Sequence, residues 1–406
     1  MNFLFEQLQN LTIGRPKSNR RLRRFEKKVF QTTKNIHKEI IDWADYISKQ
    51  EIDENLLKNS KHIIVREAYN LKISLLSKFE KCFNNTKFRI LLHTPSDDVS
   101  IAHNSWFTNF AEALTFLGVP TRCLKWDDDL SKVLEEFQPS VFISLDDSAY
   151  FKNLDWRELF HFRSQKGLKL ALNASIPADC RKDETVADKV KWGKKNRIDF
   201  YFCFYSKQFM DKEPSYGLYT AEGFKIFRTE YGANIFNYFP IPSTNKDLDY
   251  VFLGSSNRGK RPRYHQFFSQ IFWNYKGFYD GPGFSIYQNR YNFERDKFIY
   301  SRAKVGLNLH MDHQLQESDE LNERAYMYAA CGIPQLTDKP KILFKKFPED
   351  SLFVATTPKR YLNQFSYILN HQDEAKNRAL KALKHLYANH TTIHTAKRFI
   401  EDLITL

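Results

Sequence analysis

The chain is poor in cysteine. Its five thiols, Cys82, Cys123, Cys180, Cys203 and Cys331, are odd in number, widely spaced and without a CxxC pair. That excludes a disulfide framework or a zinc ribbon and fits the reduced thiols of a cytoplasmic protein. No apolar run approaches the ~20 residues that a membrane-spanning helix needs. The opening MNFLFEQLQNLTIGRPK mixes acidic and apolar residues and lacks the charged-then-apolar order of a secretory signal, so a sequon such as that at Asn173 carries little weight. No internal repeat recurs at a period of about 20–50 residues, which excludes a solenoid or a propeller.

What is present is bulk and positive charge. With 406 residues, 42% of them hydrophobic and 16% aromatic, the chain exceeds one compact core and predicts two domains. The formal charge is +14, which favours an anionic partner: nucleic acid, an acidic membrane face or phosphorylated substrates. Part of it is concentrated in RPKSNRRLRRFEKK, Arg15 to Lys28. A solvated helix face accounts for this run. So does peripheral attachment to the anionic inner face of a membrane, since Leu22, Phe25 and Val29 share one helical face. No recognisable nucleic-acid module is present, so a specific nucleic-acid partner is not expected.

Residues 1–86 read as a helical, basic extension, with apolar positions three and four apart. From Lys87 the texture changes. FRILLHT, TRCLKW, SVFISLD, LKLALNAS and IDFYFCFY are short apolar runs of the kind buried on both faces of a parallel sheet, and helical patterns separate the first four. After the break at Pro240 to Asn245 a second series begins with DYVFLGSS, KGFYDG, VGLNLH, QLTD and SLFVATT, and the tail from Gln372 is helical. The expectation is α/β, two doubly wound Rossmann-like domains facing a cleft. The boundaries are 87–243 for the first, 244–385 for the second and 386–406 for a helix crossing back to the first. In such sheets ligands bind beyond the carboxyl ends of the strands, so the loops there are the candidates.

In FLGSSNRGKRPRYH, Gly254 and Ser255 follow a strand and Arg258 and Lys260 open a helix. Glycine permits close backbone approach, and a helix N-terminus with basic side chains suits a phosphate. A glycine turn with exposed basic residues reads the same way. YDGPGF places Gly281 in a tight turn. In GLNLHMDHQLQESDE, His310, Asp312 and His313 fit no zinc spacing, so contacts to substrate hydroxyls or a helix cap are expected instead of a metal site. LNERAYMYAACGIPQLTD is a helix that opens on Asn322, Glu323 and Arg324, stops at Gly332 and runs through Pro334 into a strand carrying Thr337. Its polar start suits an anion or sugar hydroxyls. Asp127 to Asp129 read as a helix cap. Asp146 and Asp147 end a strand and, with His93 and Asn104, are candidates on the first domain.

Taken in order, VFLGSSNRGKRPRY, RAKVGLNLH, NERAYMYAACGIPQLTD and NHTTIHTAKRFIEDL resemble the CgeB-like, spore-maturation-type glycosyltransferases of the GT-B fold. The resemblance is specific over about 249–404 and looser over 87–240. It implies transfer of a sugar from a nucleotide-diphosphate sugar to a glycan, lipid-linked or protein acceptor, without a metal or other cofactor and with retention of anomeric configuration. Gly254, Ser255, Arg258 and Lys260 would serve the donor diphosphate, and Gly281, in its tight turn, is a further donor-site candidate. Asn322, Glu323, Arg324 and Thr337 would serve the nucleoside or sugar. Asp146, Asp147 and His310 would be the catalytic candidates. The sequence departs from the family where a glutamate that holds the ribose is replaced by Met327. It departs again at Thr392 and Thr395, where the family has tyrosine and arginine. Glu323, one turn earlier on the same face, is the expected substitute. The alternative is a degenerate GT-B protein that binds a glycan or a partner without catalysis.

Overall fold

The computed structural model describes residues 37–96, 101–180, 183–205, 207–242, 246–256, 260–281, 293–316 and 320–406. Arg15–Lys28 and Arg258 lie outside them. The chain divides into two compact units. Ser74–Asn234 and His390–Leu406 form the unit of the first sheet. Ile235–Glu317 and Leu321–Asn389, with the described residues before Ser74, form the unit of the second. The described part of the N-terminal extension is therefore shared between the units, changing over after Ile73.

The first sheet has six parallel strands: β1 (Ile90–Thr94), β2 (Thr121–Lys125), β3 (Val141–Ser144), β4 (Lys169–Asn173), β5 (Phe200–Cys203) and β6 (Lys225–Arg228), in the order β2-β1-β3-β4-β5-β6. β1, β3 and β5 are buried along their whole length, as apolar runs covered on both faces must be. Local chemistry sets the helix ends. Asp129 caps Leu130–Phe137 through Lys132 N–H, and Asp155 caps Trp156–Lys166, which stops at Gly167 in the left-handed region. The closing helix Thr392–Ile404, capped by Thr391, packs on Ile101–Phe116 of the same unit.

The second sheet has five parallel strands: β7 (Leu248–Leu253), β8 (Gly277–Asp280), β9 (Ala303–Leu307), β10 (Gln335–Thr337) and β11 (Phe353–Val354), in the order β8-β7-β9-β10-β11. Strand order reverses between β7 and β9, as it does between β1 and β3 in the first sheet. Such reversals open a crevice at the carboxyl ends of the strands. One face of the second sheet is filled by rings, among them Phe252, Phe268, Phe272, Tyr279 and Tyr361.

Two tyrosines fasten the strand ends at this reversal. Tyr328 Oη reaches Val251 O at 3.1 Å and Leu307 O at 3.2 Å, bridging β7 and β9. Tyr361 Oη reaches Asn308 O at 3.2 Å and Leu336 O at 2.8 Å, and accepts from Asn308 N–H at 3.2 Å. Tyr361→Phe removes the hydroxyl bonds while Asn308 N–H keeps its bond to Leu336 O at 2.9 Å, so it should lower the unfolding free energy by about 0.5–1.5 kcal/mol, read from urea denaturation.

Candidate functional site

The carboxyl rim of the second sheet gathers most of the polar residues singled out from the sequence. Asn322 caps the helix Glu323–Ala330 by accepting from Ala325 N–H at 3.2 Å. Its amide Nδ2 donates to Asn308 Oδ1 at 2.9 Å and to Leu309 O at 3.1 Å. Arg324 Nε donates to Leu253 O at 2.7 Å and Nη1 to Asn308 Oδ1 at 2.9 Å, while its Cζ lies 4.3 Å from the centroid of the Phe252 ring. Arg324 thus ties the last carbonyl of β7 to the residue that follows β9.

This staple explains the glycine after β7. A Cβ on Gly254 would overlap the Arg324 guanidinium. Gly281 follows β8 with φ +145°, and a Cβ there would strike the Gly254 carbonyl. Both glycines therefore serve close approach of backbone and guanidinium within the rim. Ser255 and Lys260 stand at either end of the same glycine loop, Lys260 as the first residue of the helix Lys260–Asn274.

A second cluster lies beyond β9 and β10. His310 Nδ1 is 2.6 Å from Asp338 Oδ1, and the His310 backbone N–H donates to Asp338 Oδ2 at 2.9 Å. Arg263 Nη2 reaches the same Oδ2 at 2.8 Å, and Arg263 Nη1 reaches Asp312 Oδ1 at 3.1 Å. Thr337 Oγ1 is 3.4 Å from Asp338 Oδ1. Burial pushes the Asp338 carboxyl up, but the bonds and charge of His310, with Arg263, outweigh it and hold the group below the usual carboxylate range. Asp338 thereby fixes the imidazole and directs Nδ1 toward itself.

Three polar atoms just beyond β7 and β9 are buried and have no hydrogen-bond partner among the described residues: Ser256 Oγ, Asn308 Nδ2 and His310 Nε2. Asn308 and His310 are almost wholly inaccessible, at 0% and 1% exposure. Unpaired buried groups of this kind cost about 1–3 kcal/mol each, so a bound ligand or water that pairs with them is stabilising.

The first-sheet candidates are differently employed. Asp146 Oδ1 is 3.1 Å from the buried Lys189 Nζ, which also donates to the Asp146 carbonyl at 2.8 Å. Burial raises the Asp146 carboxyl pKa, and Lys189 offsets part of the rise. Asp147 accepts from Ala149 N–H at 2.7 Å and caps a short helix. His93 has Ser144 Oγ 2.9 Å from Nδ1 and the Asn153 carbonyl 3.2 Å from Nε2, and burial lowers its pKa to about 4. It is neutral at pH 7. The structure therefore brings Gly254, Gly281, His310, Asn322, Arg324 and Thr337 to one rim, whereas Asp146 and Asp147 belong to the other unit. Sequence reading placed Ser256 in the glycine loop without singling it out, and missed Arg263, Asn308 and Asp338. Three of these follow a strand directly or within a few residues, so the carboxyl-end rule was the signal available. Among the described residues no group of three or more His, Cys, Asp and Glu side chains converges on one point.

Two parallel sheets of order 2-1-3-4-5, the first with a sixth strand, and a closing helix that returns to the first unit make up a known architecture. T4 phage BGT, solved with its UDP-glucose substrate, superposes with a TM-score of 0.54 at 11% identity, covering 78% of this chain and 98% of that one. An alpha-glucosyltransferase solved with UDP and a 13-mer DNA containing a central A:G mismatch gives 0.54 at 11% identity, covering 79% and 100%. Sucrose-phosphate synthase from Thermosynechococcus elongatus gives 0.50 at 11% identity, covering 79% and 99%. The fold is that of the GT-B glycosyltransferases. Within this GT-B chain, residues 281–401 match the "Glycosyl transferase-like" family, a span that contains His310, Asn322, Arg324 and Asp338. No curated protein sequence matches the chain. No helix among the described residues is long and apolar enough to cross a membrane.

Beside the rim, Asp280 ends β8 and Asp296 lies on the helix Phe293–Ser301. Both are buried, and burial raises their carboxyls to about 6 and about 7, against the pull of Arg295. A carboxyl with a folded pKa above its unfolded value binds more protons when folded. Its contribution is therefore present at low pH and lost as pH rises from about 4 through 7. Asp296→Asn removes the buried charge. It should raise Tm at pH 8 and have little effect at pH 5, checked by thermal melts across that range.

Proposed function

We propose that this chain transfers a sugar from a nucleotide-diphosphate sugar to a glycan, lipid-linked or protein acceptor, as a CgeB-like member of the GT-B enzymes. The observation that carries this reading is the set of buried polar atoms that follow β7 and β9 and have no partner among the described residues: Ser256 Oγ, Asn308 Nδ2 and His310 Nε2. A polyhydroxylated, anionic donor supplies the partners these atoms lack. Asp338 holds His310 with Nε2 turned away from the carboxylate, so Nε2 accepts from a sugar hydroxyl or, when protonated, donates to a phosphate oxygen. Gly254 and Gly281 let Arg324 and the backbone pack closely, and so shape the rim on which a diphosphate would sit. Lys260, Arg258 and the N-terminus of the helix Lys260–Asn274 take up the charge that grows on the leaving phosphate. In this reading the charge is met by side chains and helix dipole without a metal, and the product keeps the anomeric configuration of the donor. Arg324 and Asn322, whose described bonds go to the protein itself, shape the rim.

T4 phage BGT was solved with UDP-glucose, which makes UDP the first nucleotide to test. A thermal-shift screen with UDP, GDP, ADP, TDP and CMP should single out one diphosphate. At a hundred times its dissociation constant it stabilises by about 2.7 kcal/mol. The matching nucleotide sugar should then be hydrolysed slowly in the absence of acceptor.

Met327 favours a second reading. It is half-buried on the face it shares with Glu323, where the resembling family carries its ribose-binding glutamate. If Glu323 has taken over that role, Glu323→Ala should raise the KM for the nucleotide sugar about tenfold or more with a smaller change in kcat. An unchanged KM would remove Glu323 from the donor site. No shift with any nucleotide, together with no donor hydrolysis, would leave a glycan- or partner-binding module.

A further inference from the structure

The unit of the first sheet carries an open hollow of about 700 Å³, lined among others by Trp126, Trp156, Lys152, Arg157, Asn153 and Asp155. It lies beyond the carboxyl end of β2, beside the loop that follows β3, and none of the residues so far placed in the donor site takes part in it.

Two indoles form its fixed part. Trp126 follows β2 directly, edge-on to Tyr150 with ring centroids 5.3 Å apart at 90°, and its centroid is 6.4 Å from that of His93. Trp126 Nε1 is buried and has no hydrogen-bond partner among the described residues. Trp156 opens the helix Trp156–Lys166, donates Nε1 to Phe151 O at 3.3 Å, and packs edge-on to Trp192 at 5.2 Å. Neither ring can turn without breaking these contacts.

The charges in the hollow are unequal in availability. Asp155 is spent on its helix cap, accepting from Arg157 N–H at 2.9 Å and Glu158 N–H at 3.2 Å. Of the nearby acids, Asp128 accepts from Lys125 N–H at 2.8 Å and Asp129 from Lys132 N–H at 3.1 Å. Lys152 and Arg157 are exposed and make no ion pair with any described residue. Fixed aromatic faces bind the C–H faces of a sugar ring, a free indole N–H donates to a hydroxyl, and two unpaired cations meet a carboxylate or phosphate. A nucleic-acid strand would need a basic track running over about 4–16 nucleotides, and two cations beside one hollow do not provide it.

We infer that this hollow binds an acidic saccharide, one bearing a carboxylate or a phosphate. Its role as the acceptor subsite rests on the transfer reading above; the binding itself does not. The test is titration of the full chain, followed by tryptophan fluorescence and calorimetry, with four probes: a uronate-containing disaccharide, a phosphorylated disaccharide, the parent neutral disaccharide and a ten-nucleotide oligothymidylate. At least one acidic disaccharide should bind about tenfold or more tightly than the neutral parent, by one charge-assisted hydrogen bond. The better of the two identifies the acidic group. Arg157→Gln, a surface change, and Trp126→Phe, which keeps an aromatic face but removes the N–H and part of the ring area, should each weaken it several-fold and leave the nucleotide-induced thermal shift intact. Equal binding of acidic and neutral sugars, wild-type affinity in both variants, or tighter binding of the oligonucleotide overturns the inference. Acidic-sugar binding in a protein that no nucleotide stabilises would uphold the site and remove the transfer reading instead.

Discussion

Arg324 carries the constraint on which the rim of the second sheet depends. Its guanidinium bonds the last carbonyl of β7 and the side chain of Asn308 beyond β9, the two strands between which the chain reverses direction across the sheet. A side chain on Gly254 would occupy the same space, so the glycine follows from the arginine. Gly281 in turn must pass the Gly254 carbonyl, and Asn322 shares the Asn308 acceptor. One planar cation thus sets the identity of several neighbours. Lysine could not replace it, since a single ammonium cannot reach a carbonyl and an amide oxygen in one plane.

The same arrangement divides labour at the site. Donors that looked free in the sequence, on Asn322 and Arg324, are bonded to the protein and hold shape. The groups left over are quieter ones: Ser256, Asn308 Nδ2 and the far nitrogen of His310. Asp338 is central to the last of these, because it grips His310 by side chain and backbone while Arg263 holds its second oxygen. A buried carboxylate with two such partners keeps its charge, and a charged Asp338 keeps the imidazole in one orientation.

Parallel strands covered on both faces must be short apolar runs, and for that reason nearly the whole strand list could be read from the chain. β6 escaped because Lys225-Ile-Phe-Arg228 is an edge strand whose first residue is exposed, so it shows neither a run nor a clean alternation. The helices Val186–Lys195 and Pro214–Ala221 escaped because their apolar stripes are short and interrupted by lysine, glycine and serine. The cap at Asp129 and the glycine stop at Gly167 were legible, since each depends on one residue and its immediate neighbours. Asp147 was ambiguous for the same local reason: a carboxylate after a strand serves equally as cap or as site.

The sequence by itself determined the α/β class, the two alternating series and the loops where chemistry must sit, because these follow from periodicity and from residues close along the chain. Tertiary structure alone decided what each polar side chain does. Arg324 meets Leu253 across 71 positions, and Asp338 meets Arg263 across 75. Hydrogen bonds over such separations form only when the sheet brings distant strand ends together. They settle which donors are consumed in holding the rim and which remain for a ligand.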